Sequence, residues 1–327
     1  METKENLMNI NSSTAEKKNR KHDEELTFSE LLLILWQGKW VVISISLFVL
    51  ALFTVYAVNM PNIYKSEALL APAEANTSSA MSGIGGQLGG LASLAGVNLG
   101  SASGDQSALA IEIIKSRKFA SDFIVRYDLL KDLMAAEKWN PKVNQIQYDP
   151  DVYDNQEKKW VRDASFPYKQ KPSLQEAYEK YLEFIKVSAD KTSGLVTISA
   201  THVSPTVAQN WVNWIVEDIN KVMKNRDVRE ANKSIAFLTK QLEKTAVAEM
   251  KGALYSLIEE QAKTIMFANV RDEYVFKTID PAIISEKKHK PSRAIICIIG
   301  LLLGGFLGGV VVLIRYFIKL ESTTVTE

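Results

Sequence analysis

The chain has 327 residues, with Lys plus Arg at 39 and Asp plus Glu at 38, so its net charge is +1. That balance gives no electrostatic case for nucleic acid as a partner. The single cysteine, Cys297, excludes an intramolecular disulfide, and His22, His202 and His289 are too scattered for a zinc pattern.

Met1 to Asp23 is polar and lacks apolar periodicity, so it reads as a disordered tail. Thr27-Phe-Ser-Glu30 fits a capping box ahead of Leu31 to Trp36, which predicts a short helix before the membrane. Trp36, Lys39 and Trp40 are placed as interface anchors. Trp40 to Val58 is 19 residues without a charge, a first spanning candidate. Its apolar run is longer than a signal peptide's ~7–15 and no Ala-x-Ala site follows, so an uncleaved anchor is expected.

Tyr64 to Ala71 reads as a strand bounded by Pro61 and Pro72. From Ala75 to Ser107 the chain is low in complexity and holds eight of its sixteen glycines. Without a phosphate-loop lysine, this is read as small-residue packing or a mobile loop. Gln106 to Leu133 has helical spacing through Ala110, Ile113, Ile114, Phe119, Phe123, Ile124 and Leu129. Trp139 to Ser173 is polar and aromatic. Tyr148, Tyr153, Trp160 and Tyr168 are of a type that stacks on sugar rings, but a long surface connection pinned by buried aromatics is the simpler expectation.

Leu174 to Phe184 resumes a helix. Ile185 and Val187, the turn Asp190-Lys-Thr-Ser-Gly194, then Val196 and Ile198 give a hairpin. Ser204 as cap and Pro205 at the first position open a long helical stretch through Trp211, Ile215, Ile219, Val222, Ile235, Leu238, Leu242, Met250, Leu254 and Leu257. A turn near Gly252 would give a rising leg of about 47 residues, ~70 Å. The return would combine ~29 Å of helix with ~33 Å of extended chain. Such an arm folds back on itself, and Tyr274 to Ile279 completes the base sheet. Pro281 and Pro291 bracket an extended passage into the second span.

That second span, Ala294 to Ile314, is 21 uncharged residues containing Gly300, Gly304, Gly305, Gly308 and Gly309. Their small-xxx-small spacing is read as a helix-packing face, so Gly305→Leu should weaken it. Lys4, Lys17, Lys18, Arg20, Lys21 and Lys39 before the first span, with Arg315 and Lys319 after the second, place both tails in the cytoplasm. Lys287, Lys288, Lys290 and Arg293 crowd the opposite flank, against that rule. The expected organisation is a cytoplasmic tail and pre-membrane helix at 1–39, a span at 40–58, and an α/β base with the glycine-rich segment at 59–203. A helical arm follows at 204–271, a return strand and proline-containing passage at 272–293, a span at 294–314 and a tail at 315–327. The fold class is an α+β membrane protein: two transmembrane helices flanking a periplasmic α/β base with a long helical arm.

Several stretches resemble one family, the Wzz-type chain-length determinants or polysaccharide co-polymerases. They are Glu30-Leu31 with Trp36 and Lys39, GGLASLAG at 89–96, Pro172-Ser173, and SGLVTIS at 193–199 with His202 and Ser204-Pro205. VRDEYVFKTIDPA at 270–282, Pro291 and the glycine-rich span complete the likeness, over residues 25 to 318. Ser285 departs from it, since members often carry a proline there. The resemblance implies an inner-membrane protein of a Gram-negative bacterium that forms a ring- or bell-shaped homo-oligomer. It implies partners too: a membrane polysaccharide polymerase, a lipid-linked glycan such as O-antigen of lipopolysaccharide, and the lipid bilayer, with no nucleic acid and no cofactor. The implied activity is regulation of modal glycan length by a scaffold.

Other classes fit less well. A kinase finds no phosphate-loop lysine and no room in the tail after Arg315. A glycosidase needs two carboxylates set apart by position, and Asp149, Asp151, Asp154 and Glu157 are not so marked. No catalytic, cofactor or metal residue is expected. A sensor lacks an output domain, and a scaffold or adaptor of polysaccharide export remains the alternative.

Overall fold

The computed structural model describes residues 28–73 and 102–324. The polar leader, Thr27 of the expected capping box, GGLASLAG at 89–96 and the rest of the glycine-rich stretch up to 101 lie outside the described residues. The chain divides into two compact units, Met1–Met60 with Ser292–Glu327, and Pro61–Pro291.

The first unit is helical: α1 (Phe28–Gln37), α2 (Lys39–Asn59) and α9 (Arg293–Thr324), with Gly38 turning the chain between the first two. Lys39–Asn59 and Arg293–Ile318 are long and apolar enough to cross a membrane. Most of their large apolar side chains are exposed, including Leu47, Phe48, Leu302 and Phe306. A soluble core helix would bury such residues, so this surface needs an apolar surrounding.

The second unit is built on β1 (Tyr64–Pro72). The helices α3 (Ala102–Lys115), α4 (Arg117–Arg126) and α5 (Leu130–Met134) follow. Two small ribbons come next, β2 (Ala136–Asn140) with β3 (Gln145–Tyr148), and β4 (Tyr153–Asp154) with β5 (Lys159–Trp160). Then come α6 (Leu174–Phe184), β6 (Ile185–Ala189), β7 (Val196–His202), α7 (Pro205–Lys244), α8 (Ala248–Val270) and β8 (Phe276–Asp280). The main sheet has the order β6-β7-β1-β8, with each neighbouring pair antiparallel.

Side chains alternate across this sheet, as a strand's period of two requires. Ser66, Ala68 and Leu70 of β1, Val196, Ile198, Ala200 and His202 of β7, Ile185 and Phe276 all point into the core. Glu67, Lys186, Ser188 and Lys277 occupy exposed positions between them. The first turns of α7 lie on the buried face through Trp211, Val212, Ile215, Ile219 and Met223. Each fully buried valine, isoleucine or methionine among them contributes ~1.5–3 kcal/mol. Phe119, Phe123 and Ile124 of α4, with Ala177 and Tyr181 of α6, close the same core. Tyr181 and Tyr178 donate to the carbonyls of Ile114 and Lys115, the orphan acceptors at the end of α3.

Several expectations shift. The helical arm breaks at Thr245–Val247, and Gly252 lies inside α8 with open space around its Cα. Residues 139–173 hold two ribbons and not only a surface connection: Tyr148, Tyr153 and Trp160 pack edge to face, at centroid distances of 5.9 and 5.1 Å. Ser204 is the N-cap residue of α7, but its side chain makes no cap bond. Its N–H donates to His202 Nδ1 at 3.1 Å instead.

That bond fixes the tautomer of His202. Nδ1 accepts, so the proton sits on Nε2, which lies 3.2 Å from the Asp132 carbonyl. The ring is buried against Trp211 with centroids 5.0 Å apart. Burial pushes the His202 pKa below its ordinary 6.5, against the pull of its hydrogen bonds and of Asp132. The unfolded chain therefore takes up a proton that the folded chain refuses as pH falls below ~6.5. Stability is full above that value and is lost on acidification. Between pH 7.5 and 5.5, the thermal midpoint of the full-length protein should fall, and His202→Gln should remove most of that slope.

Asn220 of α7 is buried and uses all its bonding capacity. Its Oδ1 accepts from Val275 N at 2.8 Å and Phe276 N at 3.0 Å. Its Nδ2 donates to the carbonyls of Phe276 and Val216, each at 3.1 Å. One amide thus stands in for a neighbouring strand at the start of β8. Asn220→Leu should leave buried backbone groups unpaired and cost about 2–4 kcal/mol, read from denaturant unfolding against wild type.

Candidate functional site

The first candidate is the seam between α2 and α9. Gly300, Gly304 and Gly308 recur every four residues, on one face of α9. A Cβ added at Gly304 would sit 2.7 Å from Ser46 Cα, and one at Gly308 would sit 2.8 Å from Val42 Cα. At Gly300 it would meet the Phe53 side chain at 2.7 Å. Backbone meets backbone at two of these positions, and glycine alone permits it. The register runs antiparallel, with Phe53, Ser46 and Val42 met in that order along α9. Gly305 and Gly309 differ. Their added Cβ atoms would lie 3.5 Å from Ser46 Oγ and 3.3 Å from Leu35 Cδ2, side-chain atoms only. The five glycines therefore divide into a tight set and a looser pair. Gly305→Leu, the substitution first suggested by the spacing, falls on the looser pair.

The sequence reading missed the other half of this seam. Gly38 faces Val312, where an added Cβ would lie 2.5 Å from Cγ1. Val42, Ser46, Val49 and Phe53 form the stripe that receives the α9 glycines. The signal was present in the spacing of these four, three or four residues apart. Polar groups also cross the seam. Thr54 Oγ1 lies 3.7 Å from Cys297 Sγ, and Arg293 Nε donates to the Ala57 carbonyl at 3.1 Å near the end of α2.

The passage containing Pro281 and Pro291 lies in the second unit. Pro281 is exposed, and Pro291 is half-buried after a cis peptide from Lys290. Between them the chain is held to the base: Gln209 Nε2 donates to the Ala282 carbonyl at 2.9 Å, and Ser66 Oγ donates to the Ile283 carbonyl at 2.7 Å. Ile63 N donates to the Lys290 carbonyl at 2.9 Å, and His289 N to the Ile63 carbonyl at 2.7 Å.

A groove of about 640 Å³ lies between α4 and α7. Phe119, Phe123 and Val222 contribute apolar surface, and Lys118, Asp122 and Arg229 charge. At its edge, Arg126 pairs with the buried carboxylate of Asp218, which also accepts from Tyr127 Oη at 3.3 Å. Asp218 holds the Arg126 pKa above its ordinary value. Tyr127 is pushed up first by burial and then by Asp218, and it stacks on Trp214 at 4.3 Å. This network ties α4 to α7. Asp218 escaped the sequence reading although it lies three residues after Ile215, on the apolar face of α7.

Of the four acidic residues named for glycosidase chemistry, Asp149 and Asp154 shape turns with their carboxylates. Asp149 Oδ1 accepts from Asp151 N at 2.9 Å, and Asp154 Oδ1 from Gln156 N and Glu157 N at 2.7 and 3.1 Å. Among the described residues, no group of three or more His, Cys, Asp or Glu side chains is placed to hold a metal ion.

Residues 24–126 match the family model described as Wzz, chain length determinant protein. That stretch includes Glu30-Leu31, Trp36, Lys39 and GGLASLAG at 89–96, part of what makes the sequence resemble the Wzz-type chain-length determinants. No curated protein matches the chain. Among solved structures, a full-length bacterial polysaccharide co-polymerase is similar over 90% of this chain and 98% of its own, at 13% identity and a TM-score of 0.38. A fragment of WzzB, a polysaccharide co-polymerase from Salmonella Typhimurium, is similar over 70% of this chain and 100% of its own, at 13% identity and a TM-score of 0.29.

The seam makes a direct prediction. Thr54→Cys should form a disulfide with Cys297 when membranes holding the full-length protein are oxidised, seen as a mobility shift reversed by reductant. Adding Gly304→Leu should abolish most of that crosslinking, because the added side chain meets backbone. Gly305→Leu should leave most of it.

Proposed function

We propose, from the Wzz-family match of residues 24–126, that this chain sets the modal length of a lipid-linked surface polysaccharide. It works as an oligomeric scaffold beside a membrane polymerase, and it makes or breaks no bond itself. The glycan is O-antigen of lipopolysaccharide or a polymer of similar linkage. The protein sits in the inner membrane of a Gram-negative bacterium. Its spans are the two apolar helices, both termini are cytoplasmic, and the second unit is periplasmic.

The family match carries the reading, and the arm supports its oligomeric part. Beyond Met223, α7 has a single fully buried residue, Ala231, and α8 has only Ala268. Phe237, Met250, Tyr255, Leu257, Met266 and Val270 are exposed on this helix pair. Two helices packed only on each other cannot hide so much apolar surface. Neighbouring arms of further copies would cover it, which makes the assembly a tall surface along which a growing glycan is extended. The α2–α9 seam holds the two apolar helices in a fixed register, and the looser glycines Gly305 and Gly309 remain for a neighbour or the polymerase.

The test is gel analysis of surface polysaccharide in a strain lacking this protein. Polymer should still be made, with its modal length lost, and the full-length chain should restore the mode. Loss of all polymer, or an unchanged ladder, would overturn the proposal.

A further inference from the structure

Three cations, Lys287, Lys288 and Lys290, precede the second apolar helix and Arg293 opens it, with Glu286 just before them. On the proposed topology they lie on the flank that the charge rule does not favour for cations, a rule that a long translocated domain largely escapes. Lys287, Lys288 and Lys290 are exposed, and none forms an ion pair among the described residues. Ile283 and Ile284, just before them, are 67% and 50% exposed. Free cations beside exposed isoleucines suit a surface that is anionic at its headgroups and apolar just beneath.

Chain geometry keeps this stretch near such a surface. Lys290 lies three residues before Arg293, where α9 begins, so the chain between them spans at most about 11 Å. Its partner across the bridge, Ile63, follows the end of α2 at Asn59 by four residues, about 14 Å at most. The stretch is therefore tethered to both apolar helices. It is also ordered before any lipid arrives: Ile63 bonds to His289 and Lys290, and Ser285 Oγ donates to the Lys287 carbonyl at 2.8 Å. Little ordering of the backbone is left for binding to offset.

We infer that Lys287, Lys288 and Lys290, with Ile283 and Ile284 beside them, form a docking surface for anionic phospholipid headgroups of the bilayer that the two helices enter. The occupant is a lipid phosphate at the membrane surface. Each lysine near an anionic membrane multiplies the affinity roughly fivefold, and high salt screens the effect. This rests on reading α2 and α9 as spans. The surface binds headgroups by charge, independently of the helix seam.

The test uses full-length protein in phosphatidylcholine vesicles carrying a trace of spin-labelled phosphatidylglycerol or, separately, spin-labelled phosphatidylcholine. Wild type should immobilise the anionic label in preference to the zwitterionic one. Replacing Lys287, Lys288 and Lys290 together by Gln should lose the part of this preference due to the surface, as 1 M salt should. The matching replacement by Arg should keep it. Cations on other segments are common to all the proteins, so the difference between variants isolates this surface. An equal preference in wild type and the Gln variant would overturn the inference. So would loss of the preference on adding inorganic pyrophosphate, which would mark a site for a free anion. Extraction of wild type from the vesicles by alkaline carbonate would sink the spanning reading and this inference with it. Retention without a lysine-dependent preference would sink this inference alone.

Discussion

The antiparallel bridge between Ile63 and Lys290 is the constraint on which the second unit depends. It brings residues near the two ends of that unit's chain to hydrogen-bond distance. A domain whose chain is flanked by two apolar helices packed on each other has to bring its ends back together. Here the return is made by paired backbone and not by a loose linker. From that closure β1 runs up the middle of the sheet, with β7 and β8 on either side. The start of β8, at an edge of the sheet, is completed by the Asn220 side chain. Without it, the N–H groups of Val275 and Phe276 would be buried and unpaired.

Much of this was readable from the chain. Charge-free runs marked the helices now seen at Lys39–Asn59 and Arg293–Thr324, and alternation around Asp190–Gly194 marked the β6–β7 hairpin. Those signals are local, and hydrophobic period reports them directly. The break in the arm was misplaced because glycine is only a weak helix breaker. It costs ~1 kcal/mol in a helix, and the rest of a long helix outweighs that. The observed break contains no glycine or proline; the β-branched Thr245 and Val247 are its only marks in the sequence. The ribbons at 136–160 were too short to show a period at all. Their order comes from aromatic side chains meeting across turns.

The sites followed the same divide. Glycine spacing pointed to a packing face on α9 but could not say which glycines face α2. That depends on helix rotation, which spacing alone leaves open. Gly304 and Gly305 are adjacent in sequence, yet only one of them meets backbone. His202, Asn220 and Asp218 were harder to see. A buried polar residue differs from a surface one only by the partners it finds, and those partners lie 70, 56 and 92 residues away.

The arm of α7 and α8 carries a consequence for dosage. A helix pair with one concealed residue beyond Met223 on one helix and one on the other has little cohesion of its own. Whatever covers its apolar side chains stabilises it by mass action, so order in the arm rises with the concentration of that cover. If the cover is another copy, scarce subunits hold frayed arms and abundant subunits hold firm ones. Gene expression level would then act as a control on architecture as well as on amount.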